Sequence, residues 1–283
     1  MKKRKIALVC MGGVFHGAYV AGAIKALIQV YGIKRVDYAY GTSASAGTLA
    51  YYLSGQLFEG MKIWEDCVTR KEFFHLRLNK PLNLDYLIEH VLKKEVQLNI
   101  QKIKKSKTHF FIPLTQENGK KVLVSAKNSD FFRLLKASMS VPLICPPVKI
   151  KKKNYVDGTF SYPLPFNDQI KNADILIIIL TKDPNEKEHE KKEQEEHSLL
   201  SLFLPKKLKK EFKEEVGCFN KELEKLENLK KTKKVILIYH PKKLPYHLLD
   251  NSKKAMRNLI KLGFKDAKKN LELKETFLNE KAL

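Results

Sequence analysis

Hydrophobic and polar positions in the first part of the chain predict strand, tight turn and helix twice in succession. The apolar run KIALVC (5–10) ends at Gly12 and Gly13, and apolar residues then recur at helical spacing as far as Gly32. A second run, VDYAY (36–40), leads into GTSASAG and the helical TLAYYLSG. Two such units in succession predict a parallel sheet.

The middle of the chain predicts a mixture of elements. Residues 57–108 predict mainly helices, and the runs HFFIPLTQ and KKVLVSAK flank Asn118-Gly119, which predicts a two-residue β-hairpin. After a helix over 130–141, VKIKKKNYVDG predicts an extended segment with a turn, and ADILIIILT predicts a strand buried on both faces. A last strand, KVILIYHP, and two helices complete the chain.

The segment 182–234 differs in composition from the chain on either side. Its runs EKEHEKKEQEE and KELEKLENLKK mix acidic and basic residues at helical spacing. Within it, SLLSLFLP (198–205) is apolar enough for a packing face, a lid or a membrane-touching patch. We therefore predict an α/β core over 1–181, a charged helical insertion or linker over 182–234, and a small C-terminal subdomain over 235–283 whose strand and helices pack on the core.

Composition favours a folded protein with an anionic partner. The 283 residues are 43% hydrophobic, which is enough for one sizeable core. Lys and Arg number 54 against 31 Asp and Glu, a net charge of +23 that favours a phospholipid surface or nucleic acid, although a bias toward Lys codons would also produce much of it. Because the basic residues are spread along the chain and no nucleic-acid-binding module is recognisable, we expect no specific nucleic-acid partner.

No cofactor or metal is expected. The four cysteines lie far apart without a Cys-x-x-Cys pair, and His75, His90 and His109 show no ligand spacing.

The opening MKKRK and IALVC imitate a secretory signal, but the apolar run breaks at Gly12, so we interpret it as a strand. Because no apolar stretch reaches the roughly 18 to 20 residues needed to cross a bilayer, we expect a cytoplasmic protein with peripheral contact at the inner membrane surface.

Ser43 lies in a sequence that can form a nucleophile elbow. Hydrolysis through serine requires an exposed Ser on a strained turn, a neighbouring base and backbone donors for the oxyanion. The run Gly41-Thr42-Ser43-Ala44-Ser45 stands where a strand feeds a helix, and its small residues permit a tight turn. In a shifted frame Ser45 would be the nucleophile, but it would lie further inside the helix, so we favour Ser43.

The glycines after the first strand can supply backbone donors. Gly12 and Gly13, followed by Gly17 and Gly22, would expose N–H groups at a helix N-terminus, where an oxyanion is favoured. A nucleotide phosphate would suit the same turn, but neither Gly-x-Gly-x-x-Gly nor Gly-Lys-Ser/Thr is present.

Asp157 is the candidate base. Asp157-Gly158 follows an extended segment, so the carboxylate at the turn could accept the proton of Ser43, although Asp-Gly is also a common turn. A triad in the order Ser, Asp, His would need one of the histidines that follow: His189, His197, His240 or His247. The first two lie in the charged run, and we expect the last two to be surface or structural residues.

Three segments resemble the patatin-like phospholipases over roughly residues 5–181. They are GGVFHGAYVAGAIKAL, YGTSASAG and KASMSVPLICPPVKIKKKNYVDGTFSYPLP; the later YHPKKLPYHLLDNSKKAMRNLIKLGFKDA is similar to the tail of a bacterial subgroup. The resemblance implies a three-layer α/β fold with a mainly parallel central sheet. It also implies a serine lipid acyl hydrolase with a dyad of Ser43 and Asp157. Oxyanion donors would come from the backbone of Gly12, Gly13, Val14 and Ala44, and the motif-supporting residues would be His16, Gly17, Gly41, Ser45 and Gly158.

Three residues depart from the family pattern. Val14 stands where the family usually has a third Gly, His16 where it has Arg or Lys, and Ser45 where it has Gly. A misplaced oxyanion donor lowers the rate by about 10² to 10³. Phospholipid or lysophospholipid is the expected substrate, since the basic surface favours an anionic membrane. The alternative is a catalytically weakened member that acts as a lipid- or nucleic-acid-binding module.

Overall fold

A computed structural model describes residues 4–74, 81–128, 130–185, 208 and 215–278 of the chain. The strands are β1 Ile6–Cys10, β2 Tyr38–Gly41, β3 His109–Gln116, β4 Lys121–Ser125, β5 Val148–Ile150, β6 Lys153–Asp157, β7 Ile175–Ile179 and β8 Lys234–Ile238. The α-helices are α1 Gly17–Gln29, α2 Ala44–Leu53, α3 Leu57–Lys62, α4 Ile100–Lys105, α5 Phe131–Ser138, α6 Glu215–Lys230, α7 Lys253–Lys269 and α8 Leu271–Phe277. Two π-helical segments, Ile63–Cys67 and Tyr86–Glu95, and short 3-10 turns complete the described elements.

The strands form one mixed sheet in the order β5-β6-β3-β2-β1-β7-β8, with β4 paired to β3. The central strands β3, β2, β1, β7 and β8 run parallel, while β4 and β6 run antiparallel to β3. Both predicted strand–turn–helix units are present as β1–α1 and β2–α2. The expected α/β fold with a mainly parallel central sheet is therefore confirmed.

Both faces of the sheet are covered, which makes three layers. Along β1, Leu8 and Cys10 pack into a hydrophobic cluster with α1, α2 and α7, whereas Ala7 and Val9 face a second cluster that includes residues of α6. Every residue of β7 is buried, as its continuous apolar run predicts.

The antiparallel end of the sheet brings two strand ends together. β4 pairs with residues 111–115 of β3 and β6 with residues 114–116, so β4 and β6 occupy opposite edges of β3. β2 pairs with residues 109–111 and therefore shares the β6 edge. Because β2 and β6 run in opposite directions along that edge, their carboxyl ends, Gly41 and Asp157, point at each other.

Two details differ from the sequence predictions. The β3–β4 hairpin has a three-residue turn rather than a two-residue one, because Gln116 N–H donates to Lys120 O at 2.9 Å and Gly119 adopts φ 84°. Gly22 does not belong to the glycine turn but lies inside α1, where a Cβ would come within 1.9 Å of Ile260 O on α7. It therefore permits the close crossing of two helices.

Within the residues that the structure describes, no helix is long and apolar enough to cross a membrane. The apolar run 198–205, His189 and His197 lie outside the described residues.

Candidate active site

Ser43 stands on a strained turn between β2 and α2. Its backbone adopts φ 54° and ψ −131°, which is unfavourable for a residue other than glycine, and its side chain points from the N-cap position of α2. The Ser43 N–H donates to Ser138 Oγ at 3.0 Å. Gly41 permits this sharp turn, since a Cβ there would lie 2.9 Å from the Cα of Ala46.

Asp157 ends β6 and is held by three groups. Asp157 is 1% exposed. Its Oδ1 accepts hydrogen bonds from the Thr159 N–H at 2.9 Å and from the Thr159 hydroxyl at 2.8 Å. Its own N–H donates to Ser140 O at 3.0 Å. The next residue, Gly158, packs directly on β3, where a Cβ would lie 2.4 Å from Pro113 O.

The side chains of Ser43 and Asp157 lie near each other: a Cβ on Gly12 would be 3.0 Å from both Ser43 Cβ and Thr159 Oγ1, and the Thr159 hydroxyl donates to Asp157 Oδ1. Burial raises the pKa of Asp157 to about 6, while the Ser43 side chain and the hydrogen bonds from Thr159 partly oppose this rise. A carboxylate with a pKa close to neutral is mainly ionised at pH 7 and is still basic enough to accept a proton from a hydroxyl.

The turn after β1 lies against this pair. A Cβ on Gly12 would lie 3.0 Å from both Ser43 Cβ and Thr159 Oγ1, so only glycine fits there without displacement. Gly13 adopts φ 145°. Among the described residues, no acceptor pairs with the backbone N–H groups of Gly13, Val14 and Ala44. Val14 and Ala44 line the same pocket as Ser43, and Gly13 lies between Val14 and Gly12 in the turn that packs on Ser43.

Val14 adopts φ 43°, which is a strained conformation for a β-branched residue. Its side chain lines the pocket described below. The departure from glycine at this position therefore adds backbone strain and a piece of pocket wall.

Ser45 is fully buried, and its hydroxyl donates to Met11 O at 2.6 Å rather than to Asp157. Its N–H donates to Thr42 O at 3.1 Å. Ser45 thus connects the elbow to the residue that follows β1. This contact favours Ser43 over Ser45 as the nucleophile.

His16 and Gly17 anchor the other end of the β1 turn. His16 Nε2 lies 2.9 Å from Tyr246 O, and burial lowers the pKa of the imidazole. A Cβ on Gly17 would lie 2.6 Å from the Trp64 ring. Both contacts fasten the start of α1 to neighbouring segments.

The candidate triad histidines are engaged elsewhere. His240 Nδ1 lies 2.9 Å from Asp266 Oδ2, which also accepts from the Tyr19 hydroxyl at 3.1 Å. His247 Nδ1 accepts from the Leu249 N–H at 3.3 Å. Neither histidine has a hydrogen bond to Ser43 or Asp157 within the part of the chain that is described.

An apolar pocket lies beside Ser43. Its volume is about 70 Å³, and its walls come mainly from the turn before α1, from α2, from both π-helical segments and from the loop after α5. Representative lining residues are Phe15, Tyr51, Trp64, Leu87, Met139 and Val141. At this volume the pocket has room beside Ser43 for a short apolar segment, such as the first carbons of an acyl chain.

Sequence reasoning did not identify Ser138, Thr159 or the pocket residues that follow α2 as parts of the site. Ser138 and Thr159 both lie in the segment KASMSVPLICPPVKIKKKNYVDGTF, and membership of that segment was the available signal. The pocket residues carry no such signal, since they come from distant parts of the chain and look like ordinary core residues.

A family model described as patatin-like phospholipase matches residues 8–169. The matched range contains the β1 turn, Ser43 and Asp157. Among solved structures, the chain aligns with the crystal structure of VipD from Legionella pneumophila with a TM-score of 0.48 and 10% sequence identity, covering 97% of this chain and 67% of that one. No curated protein matches the chain.

Proposed function

The chain belongs to the patatin-like phospholipase family, and we propose that it is a serine esterase of phospholipase or lysophospholipase type with a catalytic dyad of Ser43 and Asp157. One observation carries the proposal: the strained Ser43 and the buried Asp157 lie close together beside an apolar pocket. Family membership supports lipid acyl hydrolysis as the class of reaction.

In the acylation step, ionised Asp157 accepts the proton of the Ser43 hydroxyl while Oγ forms a bond to the ester carbonyl carbon. The carbonyl oxygen becomes an oxyanion in front of the unpaired N–H groups of Gly13, Val14 and Ala44. When the intermediate collapses, the bond to the leaving alcohol breaks, and Asp157 returns its proton to that oxygen.

In the deacylation step, water replaces the alcohol. Asp157 accepts a proton from water, whose oxygen attacks the acyl carbon of the Ser43 ester. Collapse of this second intermediate releases the fatty acid, and the proton returns to Ser43 Oγ. The hydrogen bonds from Thr159 to Oδ1 hold the carboxylate in place through both steps.

The apolar pocket supports a fatty acyl chain as the group that is transferred. Its lining includes Ser43, Val14, Trp64 and Leu87, so the part of the acyl chain next to the ester would lie in the pocket. The net charge of +23 favours substrates in anionic membranes.

The test compares wild type with Ser43→Ala, Asp157→Asn and Ser45→Ala on a short-chain nitrophenyl ester and on a lysophospholipid. We expect Ser43→Ala and Asp157→Asn each to lose activity by about three orders of magnitude or more. Ser45→Ala is the matched control, because it removes a neighbouring hydroxyl that is bonded to Met11 O; it should keep activity within about tenfold. Full activity in Ser43→Ala would refute the dyad.

A second candidate is a weakened family member that binds lipid without turnover. The observation that favours it is the strained φ of Val14, which can move the N–H of that residue away from the oxyanion. An inert wild type that still binds lipid vesicles would favour this candidate.

A further inference from the structure

The described residues other than glycine with positive φ are Val14, Ser43, Leu143 and Lys151. The first two belong to the candidate active site. Strain in such conformations persists where the rest of the structure enforces it, and it concentrates at functional positions. Lys151 lies in the two-residue turn of the β5–β6 hairpin, where positive φ is usual, whereas Leu143 lies outside any described hairpin.

Leu143 lies on a loop whose inner side belongs to the active site. The loop follows α5, and its residues Met139 and Val141 line the pocket, while Ser140 O accepts the N–H of Asp157. Leu143 itself is 44% exposed and adopts φ 73°. Two exposed prolines, Pro146 and Pro147, follow it. The side chain of Leu143 is therefore exposed to solvent, and Leu143 lies two residues after Val141, which lines the pocket.

Lys151 lies at the tip of the β5–β6 hairpin, directly after this loop. The hairpin carries four exposed lysines: Lys149, Lys151, Lys152 and Lys153. Because β6 approaches the end of β2 head-on, the hairpin extends beyond the carboxyl edge of the parallel strands, where Ser43 lies. None of the four lysines forms an ion pair with a described residue. Glu117, a nearby acidic residue, accepts a hydrogen bond from Asn154.

We propose that a docking surface made of Leu143, Pro146, Pro147 and the lysines 149, 151, 152 and 153 seats the protein on an anionic phospholipid bilayer. The lysines meet the lipid phosphates, and Leu143 enters the boundary between head groups and acyl chains. Docked in this way, the part of the pocket wall formed by Met139 and Val141 lies next to the membrane. The choice of a bilayer as the partner rests on the proposed function.

The exposed face of α7 provides an internal comparison. Its exposed residues after the N-cap are all basic: Lys253, Lys254, Arg257, Lys261, Lys265, Lys268 and Lys269. α7 adjoins the opposite end of the sheet, since the following Asn270 donates to Leu237 O of β8. Basic charge alone is therefore widespread, whereas the docking surface combines charge with an exposed apolar residue beside the pocket. That combination favours a bilayer over nucleic acid.

The experiment measures sedimentation with phosphatidylcholine vesicles that contain or lack phosphatidylglycerol. Every protein carries Ser43→Ala, so that the vesicles are not hydrolysed. The docking variant replaces the four hairpin lysines with Gln. Its matched control replaces Lys254, Arg257, Lys261 and Lys265 of α7 with Gln, which changes the net charge by the same amount.

We expect the docking variant to lose about a hundredfold in affinity for the anionic vesicles. The α7 control should stay within about threefold of the parent, because its charges lie away from the membrane. Leu143→Ser should lose about tenfold, and this loss should persist at high salt, since it removes apolar contact rather than charge. Equal losses in the two lysine variants, or an unchanged Leu143→Ser, would overturn the proposal.

The variant Lys151→Gly tests whether misfolding explains a loss of vesicle binding. Glycine accepts φ 55° without strain, so this variant should unfold at a higher temperature and yet bind anionic vesicles more weakly. With Ser43 restored, the docking variant should hydrolyse a soluble short-chain ester at the wild-type rate. If the wild type did not hydrolyse that ester, the proposed function would be refuted. If the docking variant bound vesicles as tightly as its parent, only this inference would be refuted. Equal loss of duplex DNA binding in Leu143→Ser would also overturn it.

Discussion

The turn after β1 and the turn after β2 both join a central parallel strand to a helix, and each contains a residue other than glycine at positive φ. After β2 that residue is Ser43, whose hydroxyl is the proposed nucleophile. After β1 it is Val14, whose proposed contribution is a backbone N–H that glycine would also supply. The strained backbone of Ser43 therefore positions the side chain that takes part in the proposed reaction. At the first turn the backbone is strained because residue 14 is valine rather than glycine.

The two turns also depend on each other. Gly12 lies against Ser43 and Thr159, and Ser45 donates to Met11 O, so the first turn packs on the second. A substitution in one turn should therefore also displace residues of the other turn.

Among the substitutions that leave Ser43 and Asp157 in place, Gly12→Ala should lower activity the most. The new Cβ would lie 3.0 Å from Ser43 Cβ and from Thr159 Oγ1, so both must move. We expect kcat/KM for a soluble ester to fall by about 10² to 10³, as it does when an oxyanion donor is displaced. The control is Gly217→Ala, because nothing lies within 4 Å of a Cβ there. A loss smaller than tenfold would contradict the tight packing of the two turns.

Asp157→Asn should stabilise the fold at neutral pH while it removes activity. The folded-state pKa of Asp157 is raised to about 6, so the folded protein binds more protons than the unfolded chain between the ordinary Asp pKa and 6. Stability contributed by this group therefore falls as pH rises through that window, by up to about 3 kcal/mol above it. Denaturant unfolding at pH 8 should show a gain for Asp157→Asn that disappears near pH 4.

Thr159→Val should move the pH dependence of activity. The acid limb of kcat/KM should have a midpoint near the Asp157 pKa of about 6, because the proton acceptor must be ionised. Removing the Thr159 hydroxyl removes a bond that lowers this pKa, so the midpoint should rise by roughly one pH unit. Thr159→Ser should restore the wild-type profile. An unmoved midpoint in Thr159→Val would limit Thr159 to a packing role.

Val14→Gly should give the smallest change. Relief of strain stabilises the protein by about 1 to 2 kcal/mol, while loss of the half-buried side chain destabilises it by a similar amount. We expect the free energy of unfolding to change by less than about 1 kcal/mol. Val124→Gly, at a half-buried position in β4 without positive φ, should lose about 2 kcal/mol or more. Equal losses in the two variants would show that Val14 is not strained.

Much of the fold could be predicted because local patterns determine it. The bounds of β3 match the run HFFIPLTQ, and the continuous apolar run of β7 correctly predicts burial on both faces. The predicted length of the β3–β4 turn was wrong. Asn118-Gly119 fits both a two-residue turn and the three-residue turn in which only Gly119 needs positive φ. Gly22 was assigned to the wrong structure, since a glycine required by a distant helix has no local signature.

The sequence by itself determined the chemical groups: a serine between a strand and a helix, an aspartate after an extended segment, and glycines at the end of the first strand. Tertiary structure alone decided that β2 and β6 meet end to end along β3, which brings residues 43 and 157 together. It also decided that Ser45 bonds to Met11, that Thr159 holds the carboxylate, and that apolar residues from distant segments enclose one pocket. The physical reason is that strand pairing and side-chain packing join residues far apart in sequence, whereas periodicity and turn chemistry report only on neighbours.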